Sequence, residues 1–115
     1  MQFFQPKKSI VLIVFCAFGC MHSFAMADAL SDVKVLIQAG KSQDALNKIN
    51  QELAAKPKDP QFRFLKGVVQ SDIGRVQDAI VTFSKLTEDY PRLPEPYNNL
   101  ASLYAATGQY DRARA

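Results

Sequence analysis

The hydrophobic residues from Asp28 onward recur at intervals of three and four. Leu30, Val33 and Ile37, for example, share one side of an α-helix, and polar residues fill the opposite side. Glycine and proline interrupt this pattern at regular places, which predicts a series of short amphipathic helices. The predicted helices cover about 29–39, 43–55, 60–73, 76–89 and 95–106, and a further one begins near Tyr110.

The residues that interrupt the helices repeat with a period of 34. Three residue types keep this step independently of one another, and Ile49 also lies 34 residues before Phe83. A fixed period of this length indicates an array of similar units, each a pair of helices. The residues that keep the period are Gly40, Gly74 and Gly108, then Ala45, Ala79 and Ala113, then Pro57 and Pro91.

Each recurring residue has a physical role in a helical hairpin. A glycine just after an amphipathic helix closes that helix by adopting a left-handed conformation. A small alanine in the next helix lets the two helix axes approach closely. Proline ends that second helix because it lacks an N–H and clashes with the preceding turn. Asp59 and Pro60 then predict the next helix start, as N-cap and first helical residue.

These residues and spacings resemble the tetratricopeptide repeat. The resemblance covers about residues 26–115 and implies an all-α fold, an α-solenoid of antiparallel helix hairpins. About two and a half repeats are implied, at 26–59, 60–93 and 94–115, the last incomplete. The signature residues are Gly67, Gly74, Ala79, Phe83 and Pro91 in repeat two, and Tyr97, Leu100, Ala101, Tyr104, Gly108, Tyr110 and Ala113 in repeat three.

Two positions depart from the pattern of the family. The aromatic residue usual in the first helix is replaced by Ala29 in repeat one and by Arg63 in repeat two. The usual leucine is replaced by Asp32 and Lys66. A polar first repeat suits the end of an array. In repeat two, we expect neighbouring apolar residues to supply the packing, namely Phe62, Phe64 and Leu65.

The resemblance also implies where a partner binds. In this family the first helices of successive repeats line a concave groove, which takes an extended peptide or a helix. Asn98 and Asn99 stand out in such a helix because paired asparagine carries a propensity cost. The candidate partner-binding residues are Lys34, Gln38, Phe64, Val68, Asp72, Asn98, Asn99 and Ser102. The alternative for each of them is an ordinary solvated or packed helix residue.

The first 27 residues have a different pattern. Two lysines precede a continuous apolar run over residues 10–18, and Ala25 and Ala27 form an A-x-A site. This order predicts a secretory signal peptide, residues 1–27, that is cleaved after Ala27. The run is also shorter than the roughly 20 apolar residues of a comfortable membrane span.

Two alternatives to cleavage after Ala27 stay open. One is an uncleaved membrane anchor. The other is a lipoprotein signal with lipidation at Cys20, which follows a small residue. Cleavage places the domain 28–115 outside the cytoplasm, in the periplasm of a bacterium, whereas lipidation attaches it to the inner or outer membrane.

Composition limits the chemistry of the domain. The net charge of +3 includes the two leader lysines, and the remaining 12 basic and 11 acidic residues leave +1, which argues against a nucleic-acid partner. The single histidine, His22, and both cysteines, Cys16 and Cys20, lie in the leader. The domain sequence therefore holds no disulfide, no zinc spacing and no nucleophile–base pair. We predict a non-catalytic protein-interaction scaffold with no metal and no cofactor.

The third repeat is incomplete in this sequence, because the chain reaches Ala115 inside its second helix. The apolar face of such a repeat lacks a capping helix. One hypothesis is therefore a homo-oligomer that covers this face. Another is that the chain is the N-terminal adaptor of a longer envelope protein, either an enzyme or a cell-wall-binding protein.

Overall fold

The computed structural model describes residues 28–109 and Arg112. The predicted signal peptide, with Ala25, Ala27 and Cys20, lies outside the described residues, and so does Ala113. The chain divides into two compact units after Asp32. Of the first unit the structure describes residues 28–32, which are helical.

The described residues form five helices and no strand. The five helices predicted between residues 29 and 106 are present, with bounds that agree to within one residue, and the helix predicted to begin near Tyr110 lies outside the described residues. The all-α prediction is therefore confirmed for this part of the chain. The helices are α1 (28–38), α2 (Ser42–Ala55), α3 (Pro60–Asp72), α4 (Val76–Asp89) and α5 (Glu95–Ala106).

The three glycines of the 34-residue period close α1, α3 and α5 in the same way. Gly40, Gly74 and Gly108 have φ angles of 74°, 83° and 78°. After α3, the N–H of Gly74 donates to the carbonyl of Ser71 at 3.1 Å, and the N–H of Arg75 donates to that of Gln70 at 2.8 Å. This pair of bonds is the Schellman motif. The same pair follows α1 and α5, which confirms the predicted role of all three glycines.

The second helix of each of the first two hairpins starts directly after this turn. Lys41 and Arg75 are the N-caps of α2 and α4, and neither side chain caps its helix. Asp59, in contrast, caps α3 as predicted, since its Oδ1 accepts from the N–H groups of Gln61 and Phe62 at 2.9 and 3.1 Å. The turns after Gly40 and Gly74 therefore rely on backbone geometry, whereas the start of α3 relies on a side chain. The N-cap of α5, Pro94, has no side-chain cap.

The core of the second unit lies where consecutive helices pack, α2 on α3, α3 on α4, and α4 on α5. Ala45 and Ala79 are fully buried, as expected for small residues that allow close helix approach. Gly67 of α3 allows the ring of Phe83 on α4 to lie directly against the α3 backbone, since an added Cβ at Gly67 would lie 2.6 Å from that ring. Phe83 is in turn among the most deeply buried side chains described.

Arg63, which replaces the usual aromatic residue of repeat two, contacts residues at the C-terminal end of α4. Arg63 Nη1 lies 2.7 Å from Asp89 Oδ2, and the guanidinium lies 6.0 Å from the ring centroid of Tyr90. Only 14% of the Arg63 side chain is exposed. The hydroxyl of Tyr90 also donates to the carbonyl of Lys58 at 2.8 Å. Arg63 thus packs in place of an aromatic residue, while its charge is paired at the surface.

Candidate partner-binding groove

An open groove of about 210 Å³ lies between α3 and α5, with α4 at its base. The spacing of its residues explains why they meet. Val68, Ser71 and Asp72 are three or four apart along α3, and Asn99, Ser102 and Leu103 have the same relation along α5. The α3–α5 groove is lined by Val68, Ser71, Asp72, Phe83, Asn99, Ser102 and Leu103.

The base of the α3–α5 groove is apolar and its rim is polar. Val68, Phe83 and Leu103 form the apolar base, and Val68 is the most exposed of them, since Phe83 and Leu103 are only 1% and 8% exposed. The rings of Phe64 and Phe83 are tilted, with their centroids 5.7 Å apart. Phe83 reaches this position because Gly67 has no side chain to obstruct its ring. Asn99 presents an amide with both donors and an acceptor, as binding of a peptide backbone requires.

The electrostatic character of the α3–α5 groove is negative. Asp72 is the single charged residue among the seven that line it. Val68, Ser71 and Asp72 come from the C-terminal half of α3, and Ser102 and Leu103 come from that of α5. A helix carries a partial negative charge at its C-terminal end. The carboxylate of Asp72 and the C-terminal ends of the two helices therefore all make the electrostatic potential of the groove more negative.

The structure brings together four of the eight predicted partner-binding residues. Val68, Asp72, Asn99 and Ser102 line the α3–α5 groove. Phe64 packs beside the groove, against Phe83.

The other three predicted residues lie elsewhere. Asn98 is exposed but does not line the groove, and its carbonyl accepts a hydrogen bond from Ser102 Oγ at 3.1 Å. Lys34 and Gln38 are exposed residues of α1 and line neither groove described here. Adjacent asparagines thus have different surroundings, a distinction that the pattern of residues in the sequence does not provide.

Sequence reasoning missed Phe83 and Leu103 as groove residues. The sequence predicts Phe83 as a signature residue of the repeat. In the structure its side chain is buried against Gly67, as a signature residue of the core should be. Although only 1% of the residue is exposed, Phe83 also lies at the base of the groove. The sequence holds no separate signal for this second role, since a core residue and a groove residue both look apolar.

A second open groove, of about 450 Å³, lies on the opposite face of α3. Positions 63, 66 and 70 fall about half a helical turn away from positions 68, 71 and 72. The end of α2 and one face of α4 complete it. The α2–α4 groove is lined by Leu53, Pro57, Arg63, Lys66, Gln70, Asp78, Val81, Thr82 and Lys85.

Within the described residues, no group of three or more histidine, cysteine or acidic side chains is arranged to hold a metal ion. In the same part of the chain, no helix combines the length and the apolar character needed to cross a membrane.

Comparison with known proteins agrees with this geometry. A family model described as "Tetratricopeptide repeat" matches residues 82–115. The fold also matches the crystal structure of the Yersinia enterocolitica type III secretion translocator chaperone SycD (alternative dimer), with a TM-score of 0.71 and 19% identity. Residues 82–115 match the tetratricopeptide repeat, and the described helices share the fold of this structure. The predicted resemblance is therefore confirmed.

Two further solved structures share the tetratricopeptide fold. The MamA RS-1 ArsTM double mutant aligns with a TM-score of 0.68 and 18% identity over 72% of this chain and 47% of that chain. MamA MSR-1 C2 aligns with a TM-score of 0.63 and 23% identity over 81% and 56%. For SycD the shares are 75% and 65%, so this chain spans less than two thirds of each of these structures. None of the curated proteins matches the chain significantly in sequence.

Proposed function

We propose that this chain is a non-catalytic protein-interaction scaffold that holds a segment of a partner protein in the α3–α5 groove. The observation that supports the proposal most directly is the combination of an apolar base with the Asn99 amide at the rim. Peptide recognition in grooves uses apolar contacts for affinity and polar groups for the peptide backbone. Val68, Phe83 and Leu103 match the first requirement, and Asn99 matches the second.

The groove chemistry supports binding and not catalysis. Neither groove includes a histidine or a cysteine, and the sequence places both residue types within the first 22 positions. The hydroxyl of Ser102 donates to the backbone carbonyl of Asn98, so it is directed away from any general base. Activation of a serine nucleophile needs a base within hydrogen-bond reach.

The proposed place of action is outside the cytoplasm. The order of two lysines, an apolar run and Ala25-Met26-Ala27 supports export. Mass spectrometry of the envelope fraction from expressing cells tests it, and the expected mature N-terminus is Asp28. A lipid-modified N-terminus at Cys20 supports the lipoprotein alternative, and recovery of the unprocessed chain contradicts cleavage.

Two adjacent asparagines provide a matched test of the groove. Tagged protein is used to capture partners from an envelope extract, and the captured proteins are quantified by mass spectrometry. Asn99→Ala removes an amide that lines the α3–α5 groove, and we expect partner recovery to fall about 5- to 20-fold, because the partner's backbone groups lose their hydrogen bonds.

Asn98→Ala is the control for this experiment. It makes the same chemical change one residue away, at an exposed position outside the groove. Recovery with Asn98→Ala should equal that of the unmodified chain. Equal recovery with both variants contradicts the proposed groove, provided that circular dichroism shows both variants to be folded.

A further inference from the structure

The α2–α4 groove is built from one face of each of two helices. Arg63, Lys66 and Gln70 follow one another at intervals of three and four along α3. On α4, positions 78, 81, 82 and 85 share a face in the same way. The proposed partner site faces the other side of α3, so this second groove is a separate surface.

Three of the residues that line the α2–α4 groove are cationic and one is acidic. Arg63 is paired with Asp89 at 2.7 Å, which largely neutralises its charge. Lys66 and Lys85 supply the remaining positive charge, from opposite walls of the groove, against the single carboxylate of Asp78. The groove therefore has the opposite charge character to the α3–α5 groove.

A comparison within the chain shows that Lys66 is not needed to build a repeat. The residue 34 positions later is Leu100, which is buried in the core cluster of α4 and α5. A lysine at such a position gives up apolar burial. Repeat one also lacks the leucine, since Asp32 is at this position, but only the lysine of repeat two places an ammonium group in the groove.

The base of the groove offers directed hydrogen bonding beside apolar surface. Gln70 is only 7% exposed, and its Oε1 accepts from Thr82 Oγ1 at 2.6 Å, which fixes the amide in place. Val81 on the adjacent wall is 52% exposed and is one of the few large apolar side chains with this exposure among the described residues. A fixed amide, an exposed apolar side chain and two lysines in one groove match an extended peptide with alternating acidic and apolar side chains.

We propose that the α2–α4 groove binds an acidic, extended segment of a protein. The carboxylates of the segment lie near Lys66 and Lys85, and an apolar side chain covers Val81. This site is distinct from the α3–α5 groove, whose single charged residue is an aspartate. Electrostatic complementarity of this kind sets which segment is accepted and which is rejected.

Fluorescence anisotropy with the full chain tests the proposal. The probe is a fluorescein-labelled decapeptide of alternating glutamate and valine with flanking glycine and serine, and its counterpart has lysine in place of each glutamate. The acidic peptide should bind, with an affinity that falls as salt rises, because exposed charges are screened. The basic peptide should bind at least about tenfold more weakly.

Lys66→Leu is the decisive variant, because it introduces the residue that repeat three uses at this position. It should weaken acidic-peptide binding about three- to tenfold while the fold is kept, and Lys66→Glu with Lys85→Glu should abolish it. Lys41→Leu is the control for Lys66→Leu, the same substitution at an exposed residue that does not line the groove. Unchanged binding by either Lys66 variant overturns the proposal.

NMR of labelled protein locates the peptide independently of any substitution. The amide signals of Gln70, Val81 and Thr82 should shift on addition of the acidic peptide. Shifts confined to Asn99, Ser102 and Leu103 place the peptide in the α3–α5 groove and overturn the proposal. Equal binding of the acidic and basic peptides also overturns it.

Discussion

At the residue scale, the contact between Gly67 and Phe83 shapes both the core and the candidate site. A Cβ on residue 67 would lie 2.6 Å from two ring atoms of Phe83, closer than real side chains approach. The buried ring has little freedom to move aside, since its neighbours are the close-packed residues of α4 and α5. The same ring supplies part of the apolar base of the α3–α5 groove.

Gly67→Ala should therefore destabilise the chain in spite of the higher helix propensity of alanine. Overpacking costs about 1–3 kcal/mol, and the propensity gain returns at most about 1 kcal/mol, so a net loss of about 1–2 kcal/mol in the free energy of unfolding is expected. Urea denaturation followed by circular dichroism measures it.

Phe83→Leu provides the control for this prediction. On its own it loses ring packing, but it leaves room beside residue 67. In the double variant the cost of Gly67→Ala should therefore be smaller than in the unmodified chain, which a double-mutant cycle detects as a coupling energy. Independent, additive effects contradict the steric account.

At the scale of the element, the helices were predictable because their signals are local. Gly74 closes α3, and Asp59 and Pro60 start it, through contacts that span only a few residues. Arg63 shows the limit of such signals. It occupies a position that the repeat usually fills with an aromatic residue, and its partners Asp89 and Tyr90 lie at the far end of the next helix.

Gly74→Ala isolates the backbone cost of the turn that follows α3. No heavy atom lies within 4 Å of an added Cβ there, and the φ angle is 83°. The loss in the free energy of unfolding should be about 1–2 kcal/mol, from the left-handed conformation alone. Gly74→Asn is the matched variant, and it should lose less because asparagine tolerates this conformation better. A loss as large for asparagine as for alanine contradicts this explanation.

At the scale of the whole molecule, α3 contributes two opposite faces to two grooves of opposite charge character. Half of the predicted partner-binding residues line the α3–α5 groove, because the helix periodicity of Val68 and Asp72 could be read in the sequence. The α2–α4 groove could not be predicted in the same way. It exists only where the end of α2, around Leu53 and Pro57, meets the faces of α3 and α4.

The two grooves should act independently. Lys66→Leu should leave the recovery of the Asn99-dependent partner within about twofold of the unmodified chain, because substitutions without shared contacts have additive effects. The same capture experiment, performed with Lys66→Leu alone and combined with Asn99→Ala, measures this. A fall in recovery with Lys66→Leu alone indicates one partner that occupies both grooves.

The contact between Gly67 and Phe83 also links the inside of one repeat to the next repeat. Gly67 and Phe83 belong to the two helices of the same hairpin, α3 and α4. The same ring packs in one cluster with Leu100 and Leu103 of α5, which belongs to the following repeat. In a repeat array, stability is the sum of the stabilities of the single repeats and of the interfaces between neighbours, and this one side chain contributes to both.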